Sequence, residues 1–497
     1  MYRTIAQLEA AIDALVNSQP TLCTRFPLNN SVEGRPIFAL RLRAGGGTDR
    51  RGILIVGGMH ARELMNPDAI IELAYDLVQA YVTNTGLSYG GALWHADAVK
   101  TMMETLDIWM LPCANPDGRH EVMRNGGQWD WRMNRRNNPN TPCDGVDVNR
   151  NCDFMFRVTG PATNCDPCSS LQAFAGSLPF SEPESRNIQL LCDTHRIDLF
   201  VDVHSYSEFV LLPWGHAPTQ TTQPLPNFTD LPTGTCLPLQ PSSHQEFMPG
   251  EDQSQYQIYA NRVVEAITAV RGRTYVKKTI HQLYNGTTSG TTTDYVYSRH
   301  IANAALRKTF ALSFETGPDL YPDVRGSFQP NDPEPIKDDT KAGLVGLMYE
   351  DTCALSFLGE TLQGGTVEPI RAARDELLLA TENGRGWVDL VSNIQVELLG
   401  VVLSDKALTE RALTLVTRLQ ELAANKERAT VTADDVRDGV EFLEALRSRS
   451  TRPEVGDALS AVIEHLTKAD GQTVEAVLKD LTQSTPPRIS GVNQNPP

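Results

Sequence analysis

No run of 18 or more apolar residues occurs in this sequence, which excludes a membrane-spanning helix. A surplus of positive charge is also missing. Against 61 Asp and Glu stand only 44 Lys and Arg, and the net charge of −17 argues against nucleic acid as a partner, because phosphate binding needs a basic face. Nine cysteines in 497 residues are too few for a fold built on disulfides. The opening stretch, MYRTIAQLEAAIDAL, is an amphipathic helical pattern carrying Glu9 and Asp13. It has neither the basic start nor the apolar centre of a secretory leader, so the expected location is the cytoplasm.

What remains is the composition of a globular chain, 40% hydrophobic and 21% charged, and long enough for more than one domain. Up to about residue 360, short apolar runs alternate with amphipathic helical patterns, which predicts an α/β domain with a mixed, largely parallel central sheet flanked by helices. Four runs read as buried strands: Gly52–Val56 (GILIV), Asp107–Leu111 (DIWML), Asp198–Val203 (DLFVDV) and Phe310–Phe314 (FALSF). Between them, Pro67 opens a predicted helix, Ser181 with Glu184 forms a predicted capping box, and Tyr256, Tyr259, Val263, Ile267 and Val270 mark a third helix. Residues 216–250 hold seven prolines and read as a long irregular loop.

After Phe357 the composition shifts. Residues 365–483 read as an all-helical bundle of about five helices. Thr432-x-x-Asp435 caps one of them, and Leu413, Val416, Leu419 and Leu422 stripe another. Residues 484–497 read as a disordered tail. The bundle holds one histidine, His465, and no cysteine, so no metal site is expected in it. A protein partner is the role left open for it.

Cys143, Cys152, Cys165 and Cys168 fall within 26 residues. Cys165-x-x-Cys168 suits a zinc knuckle only with two further ligands at matching spacing. A loop disulfide is an equal alternative, and spacing alone does not choose between them.

The chemistry lies in the residues directly after each strand. GILIV runs into Gly57-Gly58-Met59-His60-Ala61-Arg62-Glu63, DLFVDV into His204-Ser205-Tyr206, FALSF into Glu315, and DIWML toward Asn115. In an open α/β sheet the ligand crevice lies outside the carboxyl ends of the strands. Two histidines, two glutamates and an asparagine are therefore delivered to one crevice. His60 and Glu63 are three residues apart, so one turn can aim both at one point. With His204 they make two imidazoles and a carboxylate, the ligand set of a catalytic zinc. An isolated HxxE pattern is more often a pair of ordinary core-edge residues. The third ligand and the further acid at strand ends turn that balance.

GGMHARE, NPDG, GVDVNRN, HSYS with the following LLPWG, and SFETG resemble the zinc carboxypeptidases of the A/B type, over about residues 1–358. The His2Glu set of that family is a standard example of a catalytic zinc site. The resemblance implies a carboxypeptidase-like domain over residues 1–360 that uses one zinc to hydrolyse the C-terminal peptide bond of peptides or proteins. His60, Glu63 and His204 would be the ligands, and Asp147 the carboxylate behind a ligand histidine. Glu315 would be the general base and Arg132, rather than the nearby Arg135 or Arg136, the oxyanion-stabilising arginine. Asn149 and Arg150, with Asn115, would grip the substrate's terminal carboxylate. Arg62 and Tyr206 would bind further along the substrate, and Tyr284 would close over it, with Tyr295 and Tyr297 left as packing residues.

Thr293 would sit at the base of the specificity pocket, with Gly215 leaving it open on another side, which implies neutral, apolar or aromatic C-terminal residues. The resemblance also pairs Cys143 with Cys168, which leaves secretion open beside the cytoplasmic expectation. Digestive members of the family carry an inhibitory pro-segment. This chain starts almost directly on the catalytic region, so latency of that kind is not expected. Two alternatives stand: the same fold acting on cell-wall or side-chain-linked peptides, and an inactive relative serving as a binding module. Inactive relatives usually lose the base or a ligand, and none is lost here.

Overall fold

The computed structural model describes residues 2–45, 50–94, 96–221, 228, 236–238, 245–351, 405–450 and 453–486, and, between 351 and 405, positions 370, 373, 377–378, 381, 383, 387, 391, 398 and 401–402. The chain divides into two compact units, Met1–Glu350 and Asp351–Pro497.

The first unit is built on a mixed eight-stranded sheet. In chain order its strands are β1 (Cys23–Pro27), β2 (Phe38–Leu42), β3 (Arg51–Gly57), β4 (Leu106–Leu111), β5 (Leu199–His204), β6 (Phe209–Leu212), β7 (Val276–Thr279) and β8 (Phe310–Glu315). Their spatial order is β1-β2-β4-β3-β5-β8-β6-β7. The central run β4-β3-β5-β8 is parallel throughout, while β1, β2 and β6 join antiparallel. These four central strands are the four apolar runs of the sequence. Ile53–Val56 of β3 and Leu199–Val203 of β5 are all buried, as strands covered on both faces must be. The outer strands are short and partly polar, as in the sequence VKKT of β7, and give no such signal.

Helices cover the sheet: α1 (Ile5–Ser18), α2 (Met65–Thr83), α3 (Ala96–Thr105), α4 (Pro116–Met123), α5 (Pro183–Thr194), α6 (Gly250–Arg271), α7 (Ile280–Tyr284), α8 (Thr292–Ala302), α9 (Val324–Phe328) and α10 (Glu334–Asp351). A Thr4–Gln7 capping box starts α1. Two predicted starts shift. α2 begins at Met65, with Pro67 inside its first turn, where the missing N–H costs nothing. Glu182, not Ser181, occupies the N-cap position of α5, without a side-chain capping bond. Pro183 fixes the first turn, and the Ser181 hydroxyl is spent on the Glu182 carboxylate at 2.8 Å.

Two disulfides settle the cysteine cluster, Cys143–Cys168 and Cys165–Cys236, while Cys152 is free and buried. Cys165 and Cys168 thus belong to different bridges, which removes the zinc-knuckle reading. In the proline-rich stretch, Thr219–Gln220 pairs with Glu246–Phe247 and Leu237–Pro238 pairs with Val158–Thr159, both parallel. Most of that stretch lies outside the described residues.

In the second unit the structure describes α11 (Lys406–Ala424), α12 (Ala433–Arg447), α13 (Pro453–Leu466) and α14 (Val474–Gln483). Thr432 and Asp435 form the capping box of α12. On α11, Val416 and Leu422 are buried but Leu419 stays 45% exposed, so the stripe is narrower than the leucine spacing implies. A core around Trp387, Leu408, Val416, Leu446, Val455 and Leu459 holds these helices together. Most of the tail, from residue 487, lies outside the described residues. Among the described residues no helix is long and apolar enough to cross a membrane.

Among the described residues the two cores share none. The first runs from Leu8 to Met348 and the second uses only residues after 350. A chain ended after Glu350 is therefore expected to be soluble and to unfold in one cooperative transition by calorimetry. Insoluble expression of that chain would mean that the first unit does not fold by itself.

Candidate active site and metal centre

Strand β3 ends on Gly57, and Gly58 follows at φ +61°, where a Cβ would meet the Pro67 ring at 2.8 Å. Only glycine fits that backbone in that space. The chain then enters the turn that carries His60 and Glu63, with Glu63 N donating to His60 O at 3.2 Å. β5 supplies His204 as its last residue, and β8 supplies Glu315 as its last, paired in register with His204.

These strand ends bring His60, Glu63 and His204 together, fully buried, with one donor atom from each within 4.8 Å of the others. His60 Nδ1 is 2.8 Å from Glu63 Oε1, His204 Nδ1 is 3.1 Å from Glu63 Oε2, and the two Nδ1 atoms are 2.9 Å apart. Three donors spaced this way match ligands held about 2.0–2.2 Å from one ion. The electrostatics agree. Against burial, His60 and His204 hold the Glu63 carboxyl well below its usual range. Burial also disfavours charge on His204, yet Asp202 and Glu63 push that imidazole well above its usual value. Burial, helped by Arg132, pushes His60 down. The cluster favours positive charge between its members, and its two imidazoles and carboxylate fit zinc.

Each ligand is braced from behind. His60 Nε2 lies 3.3 Å from Asp147 Oδ1, and Asp147 Oδ2 accepts from Arg132 Nε at 2.9 Å. Asp147 thus ties a ligand histidine to the arginine beside it. His204 Nε2 lies 2.7 Å from Asp202 Oδ2, and Ser205 N donates to Glu63 Oε2 at 3.2 Å.

A cleft of about 420 Å³ opens onto this cluster, and Arg62, Arg132, Arg150, Tyr206, Tyr284 and Glu315 all line it. Desolvation pushes the Glu315 carboxyl up to about 8, against the pull of His204 and Arg132. Among the three neighbouring arginines only Arg132 reaches the cleft. Arg135 lies over the Trp131 ring, 3.7 Å from Asp144, and Arg136 pairs with Glu182 at 2.9 Å. Arg150 is anchored by Nε to Ala162 O at 2.6 Å, with its guanidinium 5.8 Å from the Tyr284 ring. Arg62 stacks on Phe328 at 4.3 Å, and Tyr206 meets the same ring edge-on. Tyr284 is half-buried at the end of α7. Tyr297 donates to Asp252 at 2.6 Å and Tyr295 packs on Phe180, so both belong to the interior.

Four of the residues predicted to bind substrate do not line this cleft. Asn115 caps α4: its Oδ1 accepts from Gly118 N at 2.9 Å, and its Nδ2 donates to Met59 O and Met133 O at 3.1 and 3.0 Å. That clamp holds the residues beside His60 and Arg132 and leaves the amide nothing for a ligand. Asn149 Oδ1 accepts from Thr292 N at 2.8 Å, which turns its Nδ2 toward Asp202 Oδ2 at 3.3 Å. Thr293 is fully buried and hydrogen-bonded to Ser313 Oγ at 2.7 Å. A Cβ on Gly215 would lie 3.0 Å from Asp294, Ile280 and Thr288 atoms, so the glycine permits close packing here rather than open space.

Sequence reasoning missed Asp202, although an acid two residues before a histidine on a strand shares its face. It also missed Asp319, Leu171, Leu283 and Phe328 on the cleft walls. These come from loops and short helices whose placement no local pattern encodes. The Cys165–Cys236 bridge spans 71 residues, beyond any spacing rule.

Residues 8–331 match the family model described as zinc carboxypeptidase. Carboxypeptidase A4 of Mus musculus is 31% identical over 216 residues, covering 43% of this chain and 47% of that protein. Carboxypeptidase A1 of Rattus norvegicus is 28% identical over 308 residues, 60% of each. The chain thus spans about half to three-fifths of the length of these curated relatives. The solved bovine thrombin-activatable fibrinolysis inhibitor, in complex with tick carboxypeptidase inhibitor, shares the fold at TM-score 0.53 and 18% identity, over 70% of this chain and 97% of that one. Carboxypeptidase A from Helicoverpa armigera does so at TM-score 0.50 and 21% identity, over 70% of this chain and 74% of that one.

Replacing His204 with Ala is expected to abolish stoichiometric metal binding, because two protein ligands hold such an ion poorly. Elemental analysis after dialysis reads this. A full equivalent of tightly bound metal in that variant would show that the third ligand lies elsewhere.

Proposed function

The chain belongs to the zinc carboxypeptidase family, and on that premise we propose that it is an exopeptidase that hydrolyses the C-terminal peptide bond of peptides or proteins with one zinc ion per chain. The observation that carries this is the buried His60–Glu63–His204 triangle, opening onto a cleft that also presents Glu315 and three arginines. Zinc held there supplies Lewis acidity and makes nearby water a better acid.

The chain's own residues do the rest. Glu315, at the end of β8 beside His204, accepts a proton from the attacking water and returns it to the leaving amine. Arg132, held by Asp147, stabilises the negative charge that grows on the scissile carbonyl oxygen. Arg150 grips the terminal carboxylate through its planar fork, and Tyr284 beside it closes over the bound peptide. Arg62 and Tyr206 take the chain upstream of the scissile bond. Asn115 and Asn149 serve by holding the backbone and the ligand shell rather than by touching substrate.

Apolar Leu171, Leu283 and Phe328 on the cleft walls support a preference for apolar or aromatic terminal residues. The two disulfides support maturation in an oxidising compartment, the secretory alternative to the cytoplasm. For the helical region after residue 350 we propose a role apart from the chemistry, with a protein partner, since the candidate metal ligands and the cleft residues all belong to the first unit.

Two measurements test this reading. Terminal Phe or Leu is expected to be released faster than terminal Arg, Lys, Asp or Glu, since an unpaired charge is costly to bury. Faster release of Arg would overturn the preference for apolar terminal residues.

The second separates an exopeptidase from a general zinc hydrolase. Amidating the terminal carboxylate of a good peptide is expected to nearly abolish its cleavage. Arg150→Ala should lose about a hundredfold or more in kcat/KM on the free acid. Glu315→Gln should keep its zinc and much of its substrate affinity while kcat collapses. Efficient cleavage of the amidated peptide would sink the carboxypeptidase reading.

A further inference from the structure

Asp202 is a buried acid at the metal centre to which the proposed reaction gives no task. It is fully buried in β5, whose other residues from Leu199 to Val203 are apolar. Its Oδ2 lies 2.7 Å from His204 Nε2, 2.7 Å from Thr292 Oγ1 and 3.3 Å from Asn149 Nδ2. Its Oδ1 has no hydrogen-bond partner among the described residues. A buried carboxylate left half-satisfied costs stability, so a role in the site is the reason to look for.

The hydrogen-bond geometry around His204 supplies that role. Its Nδ1 faces the metal cluster, 3.1 Å from Glu63. To offer a lone pair there, the neutral ring must carry its proton on Nε2. Asn149 cannot accept that proton. Its Oδ1 is turned to Thr292 N and Oγ1, at 2.8 and 3.1 Å, so a donor, Nδ2, faces Nε2 at 3.1 Å. Left alone with His204, this amide would donate to Nε2 and drive the ring proton onto Nδ1, where a metal must bind. Asp202 Oδ2 stands within reach of both donors and accepts from each.

We propose that Asp202 is a positioning residue for the metal: it fixes the tautomer of His204 and shields that ring from the Asn149 amide, which would otherwise select the wrong one. This rests on the zinc reading of the site. Through Asn149, which adjoins Arg150, and Thr292, the first residue of α8, the same carboxylate joins the ligand shell to the strand, turn and helix around the substrate site.

Zinc affinity of the intact chain, measured by competition with a chelator, tests it. Asp202→Ala is expected to bind zinc about 10- to 100-fold more weakly. Asp202→Asn keeps an oxygen acceptor and the shape of the side chain, and should weaken binding by less. Adding Asn149→Leu to Asp202→Ala removes the competing donor and should recover part of the loss, an effect that a merely structural acid would not produce. Where Asp202→Ala fails to fold, the near-isosteric Asp202→Asn carries the test, with several-fold weaker binding expected. Wild-type affinity in every Asp202 variant that folds, while His204→Ala loses the metal, would overturn this inference and leave the zinc site intact. Retention of zinc by His204→Ala would overturn the site itself.

Discussion

Two imidazole nitrogens and a carboxylate packed within about 3 Å of one another, out of water, are favoured by positive charge placed between them. That constraint explains the bracing around the cluster. His60, Glu63 and His204 are each held from behind, by Asp147, the Ser205 amide and Asp202. The braces reach outward in turn, Asp147 to Arg132, and Asp202 to Thr292 and Asn149. The metal-binding groups and Arg132 are therefore fixed by one buried network rather than by separate ones. Such a network is costly when any member is missing.

The sheet makes this arrangement possible. β3, β5 and β8 run parallel and adjacent, so their carboxyl ends lie along one edge, and His204 and Glu315 stand side by side in register. Apolar residues over most of each strand, packed on both faces, supply the rigidity that holds polar groups at their ends. The turn at Gly58 then adds the two ligands that no strand carries. Catalytic groups placed on stiff strands and their immediate turns keep their geometry better than groups on long loops, as reactions sensitive to small displacements require.

Much of this was legible in the sequence because it is local. A buried parallel strand must be apolar along its length, so GILIV, DIWML, DLFVDV and FALSF identified themselves, and the polar residues directly after them were bound to share an edge. The edge strands were not legible. CTRFP and VKKT are short and half-solvated, and only pairing with a neighbour makes them strands. The roles of Asn115 and Asn149 were hidden for a different reason. An asparagine offers both donors and acceptors, and which partners take them depends on the backbone that folds around it.

Residue order along the chain determined by itself the class of fold, the strand ends that carry chemistry, and the donor types available to a metal, because period, apolarity and i,i+3 spacing act over a few residues. The tertiary structure alone decided that Cys165 reaches Cys236 across 71 residues, that Asp202 and Asn149 both stand at His204 Nε2, and that Gly215 serves close packing. Each of those outcomes depends on groups far apart in sequence competing for the same few ångströms, and that competition is settled only once the chain has closed on itself.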